Sequence, residues 1–291
     1  MSTKTHLDEG RIRRVTSDDG TEIAGRVHGD GPPIVFVHGG LTDGDFAWAE
    51  MLPHVTDRFT CYLPSMRGAG LSDDHDDMRP ERHVEDLVAF IDSIDEQVGL
   101  IGHSGGGTIA FGAVQRGANV AAMAAYEPAV FEFWEEGADA ERYQKAIISM
   151  GEAAAEGRMT DGARDLLSVF ANDEELARME EEGIFEHAGQ YVPQLLQIFE
   201  QAPRTEAPNP NDPSELSTVS IPVLLLYGSE TTTAHTDSVY YLNEQLPNCQ
   251  MREIAGSGHM APALGSEAVA TAFVEFFDDQ LSQAPSNSMP E

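Results

Sequence analysis

Short apolar runs alternate with amphipathic stretches through the first half of the chain. Ile34-Val35-Phe36-Val37, Phe59 to Leu63, Val98 to Ile101 and Val120 to Tyr126 are brief runs bounded by Gly, Pro or polar residues, as strands buried on both faces are. Between them, Val84, Leu87, Val88, Ile91 and Ile94 recur at helical spacing over His83 to Ile94. Phe46 to Val55 and Gly106 to Arg116 also read as helices. At the start, Arg11 to Thr16 and Thr21 to His28 flank Ser17-Asp18-Asp19-Gly20, whose Asp-Gly predicts a hairpin turn. Strand and helix alternating in this way predict a mostly parallel sheet covered on both faces.

The pattern changes after Pro128. Residues 130 to 212 carry helical periodicity, many Glu and Ala, and no strand pattern, and the stretch ends in the breaker cluster Ala207 to Pro213. Strand-like Pro222 to Tyr227, a helix over Val239 to Leu246, a strand over Gln250 to Ile254 and a helix over Glu267 to Leu281 follow. The expected organisation is an α/β core over 1–129 and 213–282, a helical insertion over 130–212 and a flexible Ser/Pro/Gln-rich tail over 283–291.

Composition narrows the setting more than the reaction. No apolar run is long enough to span a membrane, and the first residues lack the apolar stretch of a secretory signal, so a cytoplasmic protein is expected. Cys61 and Cys249 are the only cysteines and read as packing residues rather than a disulfide or a metal site. The formal net charge is −33, and Lys4 and Lys145 are the only lysines. So acidic a surface repels nucleic acid. The even scatter of carboxylates reads as a surface adapted to high salt, where charge repulsion is screened within ~3 Å at 1 M.

Three motifs carry chemistry. Gly102-His103-Ser104-Gly105-Gly106 lies between a predicted strand and a predicted helix. A sharp turn there presents the Ser104 hydroxyl, and side chains at the flanking glycines would clash. His38-Gly39-Gly40 follows the strand ending at Val37, where glycine permits close backbone approach. The amides of Gly40 and Gly105 are the candidate oxyanion donors, with His38 holding its own loop. Gly256-Ser257-Gly258-His259 follows the last strand, at the sheet edge where α/β sites assemble, which makes His259 the candidate base. His103 reads as a packing residue, and His75 within Asp73 to Asp77 as part of a solvated acidic loop rather than a metal site.

With Arg67-Gly68-Ala69-Gly70-Leu71-Ser72-Asp73, these motifs make the chain resemble the α/β-hydrolase family from about residue 20 to 280. The resemblance implies an eight-stranded, mostly parallel sheet with helices on both faces and a lid inserted after the sixth strand. It also implies a serine hydrolase that takes a small ester, thioester or lactone through an acyl-enzyme on Ser104, without metal or cofactor. Relatives with an Asp nucleophile, the dehalogenases and epoxide hydrolases, are disfavoured by Ser104. Carbon–carbon bond hydrolysis, acyl transfer to another acceptor, and a weakly active ligand-binding protein stay open.

One position departs from the family pattern. The triad acid of relatives usually sits three residues past the Gly ending the seventh strand, which here is Thr231. Two carboxylates can substitute: Glu230, one residue early, and Glu127 after the sixth strand, in Tyr126-Glu127-Pro128. Glu127 needs no register shift and is preferred.

Overall fold

In the computed structural model the described residues are 10–281. The tail expected over 283–291 lies outside them. Eight strands form one sheet: β1 (Arg11–Thr16), β2 (Glu22–His28), β3 (Pro33–Val37), β4 (Thr60–Pro64), β5 (Val98–His103), β6 (Val120–Tyr126), β7 (Val223–Gly228) and β8 (Cys249–Ile254). Their spatial order is β1-β2-β4-β3-β5-β6-β7-β8. The β1–β2 hairpin and the β2–β4 pair are antiparallel, and every pair from β4 to β8 is parallel.

The central strands are apolar throughout because both of their faces are covered. In β7, Val223 and Leu225 join one buried cluster while Leu224 and Leu226 join another. In β6, Met123 and Ala125 separate from Ala122, Ala124 and Tyr126 in the same way. Successive side chains point to opposite faces of a strand, so an unbroken apolar run serves two cores at once. Helices Pro80–Asp92 and Gly105–Gln115 cover the first face, and Glu267–Leu281 covers the second.

The stretch between β6 and β7 contributes helices Phe131–Glu135, Ala140–Ala155, Met159–Phe170, Asp173–Glu181, Ile184–Gly189 and Val192–Gln201. Their apolar faces form a third cluster with Leu41, Ala69, Ala234, Met260 and Leu264 of the core. This arrangement roofs the carboxyl ends of the parallel strands.

Two helices differ from expectation. Phe46 to Val55 is not continuous: one helix runs Gly44–Trp48, capped by the Asp43 carboxylate accepting from Phe46 N at 2.9 Å, and a second runs Leu52–Val55. Pro53 has no N–H to donate and suits only a first turn, so it marks a new start. The helix expected over Val239 to Leu246 begins earlier and covers Thr233–Gln245. Its first turns bury Ala234, His235 and Ser238, and the polar members of that face hide the helical periodicity from an apolar count.

The Arg67 stretch is a structural anchor. Arg67 is fully buried, with Nε and Nη2 each donating to Asp86 at 2.7 Å and Nη1 to Asp19 at 2.9 Å and the Asp77 carbonyl at 2.8 Å. A buried guanidinium is tolerable only when its donors are satisfied in this way.

Candidate active site

Ser104 joins β5 to the helix Gly105–Gln115 with φ 54° and ψ −129°, a conformation that side chains rarely adopt. Its backbone is tied on both sides: its N–H donates to Tyr126 O at 3.1 Å, and its carbonyl accepts from Gly107 and Ala129 at 2.9 and 3.1 Å. The turn is tight enough that a Cβ on Gly106 would lie 2.3 Å from the His38 carbonyl oxygen. A Cβ on Gly39 would stand 3.1 Å from Ser104 Cβ and 3.7 Å from its Oγ, so the His38-Gly39-Gly40 loop passes directly beside the hydroxyl. His38 holds that loop: its Nδ1 pairs with Gly39 O at 2.7 Å and its Nε2 accepts from Met66 N at 3.0 Å.

His259 reaches the same place from the loop after β8. Three contacts fix that loop. Tyr126 Oη donates to Gly258 O at 2.7 Å, His103 Nε2 pairs with His259 O at 2.9 Å, and Met260 N donates to Glu175 Oε1 at 2.8 Å. Glu175 comes from helix Asp173–Glu181 of the stretch between β6 and β7, where it also completes a capping box with Asn172. A Cβ at Gly258 would lie 2.4 Å from Glu175 Oε2, which explains the glycine before the histidine.

Of the two candidate acids, the fold brings Glu127 and not Glu230 to His259. His259 Nδ1 lies 2.7 Å from Glu127 Oε2. Glu127 is fully buried and holds φ 44°, a second strained position at the site. Its Oε1 accepts from Gly228 N at 2.8 Å and its Oε2 from Thr231 Oγ1 at 2.9 Å. Glu230 is exposed, and among the described residues its carboxylate meets only Ser229 Oγ, at 3.5 Å. Thr231, which stands where the family acid is expected, is thus a hydrogen-bond donor to Glu127, which follows the neighbouring strand.

Burial shapes the charges. It pushes Glu127 up to about 8, partly opposed by the Gly228 and Thr231 hydrogen bonds, and pushes His259 down to about 3. Both effects favour neutral forms. Glu175 is raised to about 7 by the same cause.

The sequence reading missed His235. Its ring stacks on that of His259 with centroids 3.9 Å apart and planes at 14°, and its Nδ1 is 3.5 Å from Glu127 Oε2. The donor atoms of Glu127, His235 and His259 all lie within 4.8 Å of one another. They fit a cation poorly. Nearly parallel rings send their in-plane lone pairs side by side rather than toward a common centre, whereas a zinc site needs ligands converging tetrahedrally. His75, the other histidine among carboxylates, accepts from Asp77 N through its Nδ1 at 2.9 Å, and no metal-like cluster forms around it among the described residues. Cys61 and Cys249 are unpaired.

Ser104, Gly40, Gly105, His235 and His259 line one cavity of about 210 Å³. The rest of its wall is mostly apolar, including Phe46, Met66, Trp134, Phe170, Leu195 and Met260, and among the described residues no Asp, Glu, Lys or Arg contributes to it.

Comparison with known proteins agrees with this geometry. The model of the alpha/beta hydrolase family matches residues 34–272. Among curated proteins, a cis-3-alkyl-4-alkyloxetan-2-one decarboxylase of Shewanella oneidensis is 31% identical over 110 residues, 36% of this chain and 34% of that protein. A haloalkane dehalogenase of Mesorhizobium japonicum is 35% identical over 112 residues, 36% of this chain and 35% of that protein. Each match therefore spans about a third of the relative's length. Among solved structures, an alpha/beta hydrolase from Sphaerobacter thermophilus superposes with a TM-score of 0.73 at 26% identity, covering 91% of this chain and 100% of that one. A thermophilic esterase from Thermogutta terrifontis shares the fold with a TM-score of 0.75 at 20% identity, covering 92% and 98%. The strained elbow, the histidine after the last strand and the match over most of the sheet lead to one conclusion: the chain belongs to the α/β hydrolase family.

Proposed function

We propose that the protein is a serine hydrolase that cleaves a small uncharged ester, thioester or lactone through an acyl-enzyme on Ser104. The observation that carries this reading is the sharing of one cavity by a serine on a strained turn and a histidine bonded at 2.7 Å to a buried carboxylate. Ser104 Oγ attacks the carbonyl carbon while His259 Nε2 takes the hydroxyl proton. Glu127 receives the His259 Nδ1–H and stabilises the imidazolium that forms. The Gly40 and Gly105 amides hold the developing oxyanion. His259 then returns its proton to the leaving group, and water repeats the sequence to release the acid.

The cavity supports the substrate class. Its apolar wall offers no cation to an anionic substrate, and about 210 Å³ is below the ~300–1,000 Å³ of sites that take drug-sized ligands. The stretch over 130–212 acts as the lid, with Trp134, Phe170 and Leu195 closing over the acyl group.

A fluorophosphonate probe tests the reading at low salt and in multimolar KCl. The expected result is one equivalent bound, located on Ser104 by peptide mapping and abolished in Ser104→Ala. A wild-type protein that turns over no short-chain chromogenic ester and leaves Ser104 unlabelled in both salts is not a serine hydrolase.

A further inference from the structure

His235 belongs to no motif, yet the fold places it in contact with the His259–Glu127 pair. It is almost completely buried, with only 1% of its surface exposed. One face of its ring stacks on His259, and Trp134 meets it at 4.7 Å with planes at 70°. Its Nδ1 is 3.1 Å from both Thr231 Oγ1 and Thr232 Oγ1.

The hydrogen bonds assign the direction of this contact. The single hydroxyl proton of Thr231 goes to Glu127 Oε2, which keeps a lone pair to accept it whether or not the carboxyl is ionised. Thr231 Oγ1 then faces His235 Nδ1 with a lone pair, and the tautomer that suits this contact carries its proton on Nδ1, shared with Thr232 Oγ1. A directed chain results, from His235 Nδ1–H to Thr231 O–H to Glu127 Oε2, and that oxygen is the one facing His259 Nδ1. Chains of this kind polarise each successive bond. A threonine alone is a free rotor about its C–O bond, whereas a threonine that must accept from His235 has its proton aimed.

We propose that His235 is a positioning residue for catalysis: through Thr231 it orients the Glu127 carboxylate on His259. This rests on the Ser104 acyl-enzyme reading. It assigns a function to Thr231 and to the Thr-Thr-Thr-Ala-His run, and it makes the acid of this site a four-residue unit shared between the loops after β6, β7 and β8.

The experiment compares two substitutions with the wild type. His235→Phe keeps an aromatic ring on His259 but cannot donate; His235→Asn gives up the ring but keeps an amide donor near the Nδ1 position. His235→Phe is expected to lower kcat about 10- to 100-fold, the loss of one hydrogen bond in a charged chain, with KM little changed. His235→Asn is expected to recover most of that loss. The downfield proton resonance of the His259–Glu127 hydrogen bond should move in His235→Phe and return toward its wild-type position in His235→Asn. A folded His235→Phe protein with wild-type kcat and an unmoved resonance overturns the proposal. Should that variant fail to fold, His235→Leu decides, because it also removes the donor and leaves Thr231 in place: an unchanged kcat overturns the proposal and a loss of similar size, recovered in His235→Asn, supports it. Phosphonate labelling of the wild type separates the two levels. If the wild type labels and turns over but both substitutions are silent, only the assignment of His235 fails; if the wild type never labels, the acyl-enzyme fails first and takes the positioning role with it.

Discussion

The loops that follow β6 and β7 lie side by side at the carboxyl edge of the sheet, and they contribute unequally to the carboxylate beside His259. The β6 loop supplies the carboxylate, Glu127, on a backbone forced to φ 44°. The β7 loop supplies the donors Gly228 N and Thr231 Oγ1, and the first turn of the next helix places His235 Nδ1 3.1 Å from Thr231 Oγ1. Adjacent parallel strands end at nearly the same level, so a carboxylate can move from one to its neighbour if the vacated place offers hydrogen bonds instead. What must be conserved physically is the carboxylate oxygen beside His259 Nδ1, not the residue number that carries it.

The strongest test of this division removes the carboxylate. Glu127→Gln is expected to lower kcat by about 10⁴, because an amide no longer favours the productive tautomer or the imidazolium. Steady-state ester hydrolysis measures it, and a drop below tenfold would mean that the β6 loop does not hold the acid. Next in size, a Glu127→Ala, Thr231→Glu double substitution transfers the acid to the β7 loop. It is expected to recover at least about tenfold over Glu127→Ala alone, one decade for each ~1.4 kcal/mol regained. No recovery would show that the β7 backbone cannot aim a carboxylate at His259.

A third test uses pH. Glu127 is raised to about 8 by burial, so kcat/KM is expected to climb as pH rises through about 8 and the carboxylate forms. Stability runs the other way. A carboxyl whose folded value lies above its unfolded one stabilises the fold fully below the unfolded value, and this contribution is lost as pH rises through the folded value. Glu127 at about 8 and Glu175 at about 7 both lose it between mildly acidic and alkaline pH. Thermal melting and ester turnover recorded across that range should therefore move in opposite directions; parallel curves would assign the ionisation to another group. The smallest effect belongs to Glu230→Gln. That side chain is exposed and removed from His259, and its kcat is expected to stay within about twofold of wild type, as for surface substitutions generally. A large loss there would restore Glu230 as the acid.

How much of this was legible in the residues follows from how local each feature is. Ser104 and its glycines could be read because a strand, a tight turn and a helix are written within a few consecutive positions, and the glycines are there for contacts a Cβ would block. His259 could be read from its place after the last strand. Glu127 could be narrowed only to one of two carboxylates, since the choice depends on which loop faces the histidine. His235 and Glu175 left no signal. One hides in a polar helix start and the other in a capping box, and both act through partners far along the chain. Among the elements, the break at Pro53 was written locally but masked by apolar residues on both sides.

The bond from Met260 N to Glu175 has a practical consequence for redesign. Exchanging the segment between β6 and β7 for that of another hydrolase is an obvious route to a new specificity. Here such a graft would take away a carboxylate that the His259 loop leans on, and would leave an amide in the interior with nothing to donate to. A transplanted roof would have to bring its own strut for the histidine, or the new enzyme would gain a different chamber and lose the means to use it.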